Sequence, residues 1–321
     1  MHRMSLRILL TCAFVSLFVP VTFAESTPQQ LLASGHVDDA LATLQQETKS
    51  SKPAADSFNL LCRAYFMLED WDRGITACER ATSLDPQNSM YFLWLGRVYG
   101  EKADHAGFLT AAGLAKKVRS SFERAVELDT RNWEARTDLA EFYLEAPGIV
   151  GGGKDKARAQ AEAIQSLNPA MGHWVLARIA EKNNNPAEAE REYRAEIAAS
   201  HSSARSWFDL AAFLRHDNRL DEMDEAVRKI ESSPLDRPDT LMDAAGLLLR
   251  ANRDLPLAVT LLRRYLAAPV EQGPAFKAHD LLGRILENQG DLHGAADEFG
   301  AALALAHTYT RAEQDLKRVE H

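Results

Sequence analysis

The residues most suggestive of chemistry are Gly148 to Asp155, GIVGGGKD. Their spacing is that of a phosphate-cradling loop, in which glycines let backbone amides approach an anion and a lysine reaches its oxygens. The match stops at Asp155. Such a loop needs Ser or Thr there to hold magnesium, and a carboxylate repels phosphate. The segment also follows a helical pattern, where a phosphate loop follows a strand. A milder expectation survives: the amides of Gly151, Gly152 and Gly153, with Lys154 and Lys156, as a small-anion site. The competing reading is a plain turn in which glycine supplies positive φ.

Histidines from His36 to His307 are scattered through separate segments. There is no H-E-x-x-H, no C-x-x-C, no metal-ligand spacing and no G-x-S-x-G elbow, so no catalytic residue, metal or cofactor is expected. Two cysteines follow the first 24 residues, Cys62 and Cys78. They fall on the inner faces of two adjacent helical patterns, about one turn out of direct register. A bridge needs Cα atoms within ~7 Å. The expectation is therefore two small buried apolar residues rather than a disulfide, although an oxidising compartment would allow one.

The elements that must position these residues are helices. In Ala55–Asn88, Phe58, Leu61, Cys62 and Tyr65 fall at i, i+3, i+4, i+7, one face of a helix. After the polar stretch Leu68–Asp72, Gly74, Cys78 and Ala81 form one face of a second helix, ended by Asp85-Pro86. The pair reads as an αα-hairpin. The pattern returns along the chain with a period of ~34 residues, the mark of a stacked array. A shortened first unit spans Pro28 to Thr48. Later units carry Leu95, Gly96 and Tyr99 with Phe122; Leu139 and Tyr143 with Ile164; Leu176 with Tyr193; Leu210 with Val227; Leu249 with Leu262; and Leu282 and Gly283 with Phe299. Insertions interrupt the third unit near 100–117 and the fourth near 145–153. Thr308 to Glu320 is polar and helical, as a terminal cap should be.

The composition, 46% hydrophobic and 26% charged, is that of a folded soluble chain. The first 24 residues stand apart. Arg3 and Arg7 precede the apolar run Ile8–Val21, and Thr22-Phe23-Ala24 precedes Glu25, the pattern of a cleavable signal peptide. That run is short for a membrane span, which needs ~20 residues. Removing Arg3 and Arg7, with no acid, takes the net charge from −9 to −11. So acidic a chain argues against non-specific nucleic-acid binding. The expectation is an exported protein, periplasmic if its source is a Gram-negative bacterium, with no membrane anchor after cleavage.

The spacing resembles the tetratricopeptide repeat (TPR) family. Gly96 and Tyr99 stand at its Gly and Tyr places; Gly283, Ala295, Phe299 and Ala302 at its Gly, Ala, Phe and Ala places; Pro86 and Pro169 at its closing proline. The resemblance covers nearly all of 27–321 and implies an all-α, right-handed superhelical solenoid of seven to eight antiparallel helix pairs. It also implies a concave groove lined by first-helix residues not used for packing. Carried onto this chain, the groove places include Asn59, Arg63, Arg97, Trp174, Arg178, Phe208, Arg215, Arg250 and Arg284. Arginine recurs there although the protein is acidic, and arginine and aromatics dominate binding hot spots. The expected function is a non-catalytic scaffold gripping a partner protein or peptide, with Trp174 or Phe208 as anchor and carboxylate-to-Arg contacts. The alternative is a small-anion binder or enzyme using the loop 148–154, with the 100–117 insertion as a lid. Self-association through the end repeats, of which the N-terminal one is incomplete, is a third expectation.

Overall fold

The computed structural model describes residues 26–267 and 274–320. The expected signal peptide at 1–24 lies outside them. Eight helix pairs follow in chain order: α1 (Pro28–Ala33) with α2 (Val37–Glu47), α3 (Ala55–Met67) with α4 (Trp71–Leu84), and α5 (Ser89–Asp104) with α6 (Phe108–Leu128). Next come α7 (Trp133–Glu145) with α8 (Lys154–Gln165), α9 (Pro169–Lys182) with α10 (Pro186–Ala199), and α11 (Ala204–His216) with α12 (Leu220–Ile230). The array ends with α13 (Thr240–Ala251) and α14 (Leu255–Ala267), α15 (Ala275–Asn288) and α16 (Leu292–Leu305), and the cap α17 (Thr310–Val319). The fold is all-α, a solenoid of tandem antiparallel pairs, with no strand among the described residues.

Local chemistry sets the breaks. Asp70, Asn88, Asn132, Asn168, Asn185, Ser203 and Asp291 each accept a backbone N–H from the first turn of the helix they precede, satisfying an orphan donor. The turns inside pairs use a left-handed residue: Asn184, Asn218, Asn252 and Gly290, and, unusually, Glu69 at φ 62°. Pairs close where a side chain is missing. A Cβ on Gly96 would sit 2.4 Å from the Phe122 ring, and one on Gly283 would sit 2.6 Å from Phe299. Glycine there lets the helices approach and the ring fills the crossing. A continuous core of buried residues runs from Leu32 to Ala312.

Two sequence expectations need correction or refinement. Cys62 and Cys78 are disulfide-bonded, with Cα atoms 5.2 Å apart, and are not a pair of free apolar residues. Cys62 lies five residues before the end of α3 and Cys78 seven after the start of α4. Helical Cβ atoms lean toward the N-terminus, so Cys62 leans away from the turn and Cys78 toward it. The two leans cancel the offset. The 100–117 insertion, for its part, is not a loop: it lengthens α5 and α6 into a longer hairpin of 16 and 21 residues, against 13 and 14 for α3 and α4.

The first helices neighbour one another, α3 with α5, α5 with α7, α7 with α9, α11 with α13 and α13 with α15, while no comparable contact joins successive second helices. The first helices therefore line the inner face. The array curves until its ends touch. Lys277 Nζ lies 2.9 Å from Glu69 Oε1, and Arg311 is 3.5 Å from the other oxygen of the same carboxylate. The His307 backbone N–H donates to Asp38 Oδ2 at 2.8 Å. Gly35, at φ 83°, lies so close to Ala275 that its Cβ would be 2.6 Å from the alanine's.

Candidate functional site

The inner face carries the arginines that the sequence pointed to, and the structure divides them. Arg97 on α5 holds Asp138 at 2.6 Å and Glu134 at 3.3 Å on α7. Arg178 on α9 holds Glu145 at 3.1 Å and Glu181 at 3.4 Å. Both are spent on neighbouring carboxylates. Arg63 has no carboxylate within ion-pair distance among the described residues; its guanidinium lies 5.0 Å from the Trp94 ring, to which Arg97 also comes within 4.9 Å, and its buried Nε has no acceptor. Burial, then the charge of Arg97, lowers the Arg63 pKa.

Arg215, Arg250 and Arg284 sit at the groove places of α11, α13 and α15. None has a carboxylate within ion-pair distance among the described residues, although the fold contains many ion pairs elsewhere. Burial, then the charges of Arg215 and Arg284, pull the Arg250 pKa below its usual value. Three cations thus share one stretch of the inner face, close enough to repel one another. Asp243 and Asp280 lie on the same helices. Burial raises both to about 6, with only partial relief from neighbouring arginines. Asp280 is 2% exposed and its Oδ1 has no hydrogen-bond donor.

The other groove candidates are less open. Trp174 is 8% exposed and packs within the core, so its ring offers little surface to a partner. Asn59 is buried with its Oδ1 unpartnered. Phe208 is partly exposed beneath the Arg205 guanidinium, 5.4 Å from its ring. Arg205, which sequence reasoning did not single out, ties α11 together by donating to Asp209 at 2.9 Å.

The glycine turn spends its amides on the chain itself. Gly148–Val150 is a single 3-10 turn and Gly151 adopts φ 105°. The N–H groups of Gly151, Gly152 and Gly153 donate to the carbonyls of Gly148, Pro147 and Tyr143. Lys154 Nζ donates to the Lys182 carbonyl at 2.8 Å and to Asn183 Oδ1 at 2.7 Å, on the next pair. Lys156 Nζ donates to the Gly151 carbonyl at 2.9 Å. Two shallow depressions among the described residues lie between Asp85–Met90 and Leu128–Glu134, and beside Phe58, Tyr65 and Arg80; neither includes this turn. Among the described residues no His, Cys, Asp and Glu group is placed to hold a metal, and no helix is long and apolar enough to cross a membrane.

The fold has known counterparts. The chain is similar to yeast Tom70, with 15% identity and a TM-score of 0.54; the match covers 94% of this chain and 65% of that one. It is also similar to a thermophilic TPR protein of Thermus thermophilus (17% identity, TM-score 0.49, 58% of this chain and 95% of that one). A third likeness is a tetratricopeptide repeat protein from Parabacteroides merdae (15% identity, TM-score 0.40, 83% and 99%). No curated protein matches the sequence. The family model described as tetratricopeptide repeat matches residues 29–89, 175–222 and 244–313, more than half of the chain. With its paired helices, its Gly–Phe crossings and this family match, the chain belongs to the tetratricopeptide repeat family.

Proposed function

We propose that this protein is a non-catalytic scaffold of the cell envelope that holds a segment of a partner protein along its concave face. The observation that carries the reading is the trio Arg215, Arg250 and Arg284, cations without carboxylate partners among the described residues, on three consecutive first helices. Like charges held together at a half-buried face cost stability, and an incoming carboxylate would offset that cost with charge-assisted, bidentate contacts. The partner segment is therefore acidic. Arg97 and Arg178, already ion-paired, shape the groove and contribute less to the grip. The envelope location rests on the leader-like pattern at 1–24. The anion-binding or enzymatic alternative at 148–154 gains no support from a turn whose glycine amides and lysines are already engaged.

The test is a crosslinking pull-down from the native envelope fraction, read by mass spectrometry, with Arg215→Ala/Arg250→Ala and Trp174→Ala/Arg178→Ala as paired variants. Loss of a partner in the first variant, with folding intact, supports the reading. A partner retained by both variants removes the groove from consideration.

A further inference from the structure

Among the described residues, the three most exposed large apolar side chains are Phe108 at 86%, Leu109 at 85% and Ile149 at 91%. All three lie on the two insertions, one in each of two successive pairs. The insertions touch: Val150 is buried against α6, and Arg119 Nη1 donates to its carbonyl at 3.4 Å. The lengthened α5–α6 hairpin carries Phe108 and Leu109 at its turn, so they stand beyond the ends of the neighbouring pairs. Nothing among the described residues covers the tips. A Cβ on Gly107, Gly113 or Gly148 would meet no atom within 4 Å.

Residues 106–115 are uncharged and are followed at once by Lys116 and Lys117; residues 146–153 are uncharged and are followed by Lys154, Asp155, Lys156 and Arg158. Lys116 and Arg158 are exposed and have no carboxylate within ion-pair distance among the described residues, whereas Lys154 and Lys156 already donate to oxygens of the chain itself. Phe108 lies eleven residues from Arg119 along α6, roughly 16 Å at helical rise. The two apolar tips are thus separate points, with the exposed cations Lys116 and Arg158 following them in sequence. A peptide pocket is concave and closer-set. A flat surface with an apolar interior and anionic headgroups accepts two such points at once.

We infer that this edge of the array docks on an anionic lipid bilayer, inserting Phe108, Leu109 and Ile149 at the headgroup boundary while Lys116 and Arg158 meet lipid phosphates. The experiment uses the chain from Glu25 onward, which contains the whole described fold, and co-sedimentation with vesicles of phosphatidylcholine alone or mixed with phosphatidylglycerol. Binding is expected only to the mixed vesicles, weakened about tenfold or more by Phe108→Ser/Leu109→Ser. Lys116→Glu/Arg158→Glu, or salt raised to about 1 M, is expected to abolish it. Circular dichroism confirms that the surface variants fold. Equal sedimentation of wild type and both variants overturns the inference, as does no sedimentation at all. A shift from dimer to monomer in the Phe108/Leu109 variant without lipid also overturns it, by making the tips a contact between copies.

Discussion

Arg97 Nε lies 2.6 Å from Asp138 Oδ2, joining two successive first helices across the inner face of the array. Removing one member of such a half-buried pair leaves the other uncompensated. Arg97→Ala is therefore expected to lower stability by roughly 2 kcal/mol in urea unfolding. Arg250→Ala relieves repulsion from Arg215 and Arg284, and is expected to stay within about 0.5 kcal/mol of wild type or to stabilise. Equal costs for the two would mean that Arg250 is already partnered, and the proposed acidic ligand would lose its ground.

Glu69 occupies the left-handed turn place that Asn184, Asn218 and Asn252 fill elsewhere, at a local cost of about 1 kcal/mol. Its carboxylate is what meets Lys277 and Arg311 at the far end of the chain. Glu69→Asn keeps the turn and removes the link. It should increase the radius of gyration in small-angle scattering and speed amide exchange in α1 and α2. Gly35→Val, which drives a side chain into Ala275, should do the same by a different route. No change in either variant would mean that the ends are held by something else.

The Cys62–Cys78 bridge spans a sequence separation of 16 and ties α3 to α4. Closing a loop of that length stabilises by about 3 kcal/mol on chain-entropy grounds. Dithiothreitol, or Cys62→Ala/Cys78→Ala, should lower the melting temperature by several degrees. Alkylation without prior reduction should leave both thiols unlabelled.

Asp280 gives a pH signature. Burial, then the nearby Asp315 charge, raises its pKa to about 6 in the fold, above the 3.8 of an unperturbed aspartate. Between those values the folded state holds more protons than the unfolded one. The contribution of this group to stability therefore declines as pH rises from about 4 to about 6, and is level above. Asp280→Asn should stabilise by roughly 1–3 kcal/mol at pH about 7.5 and by almost nothing at pH about 4. A gain independent of pH would assign the effect to packing.

The helix pairs were legible because each one buries a periodic face that cannot be satisfied alone, and because Gly96 and Gly283 stand opposite large rings. The disulfide was also written there, though counting turns along each helix hid it. Gly283 and Phe299 meet at the crossing of their pair, and Cys62 and Cys78 hold the equivalent places with the same separation of 16. The bridge replaces a glycine–phenylalanine contact. Which arginines are neutralised was not legible. That depends on whether a carboxylate on the next pair faces the guanidinium, as Asp138 faces Arg97 and none faces Arg250 among the described residues. The meeting of the two ends was equally hidden, because it results from small rotations accumulated over every pair.

That meeting changes how the molecule comes apart. An open row of stacked pairs loses its outermost member first, and each loss exposes the next. Here α1–α2 leans on the start of α15 and on the α16–α17 connection as well as on α3, through Gly35, Asp38 and the His307 amide. Neither outermost unit can peel away while keeping all its contacts with the other. Unfolding should therefore proceed as one concerted transition, with a steeper denaturant dependence than an unclosed array of the same length, and with the short N-terminal unit protected by the far end of its own chain.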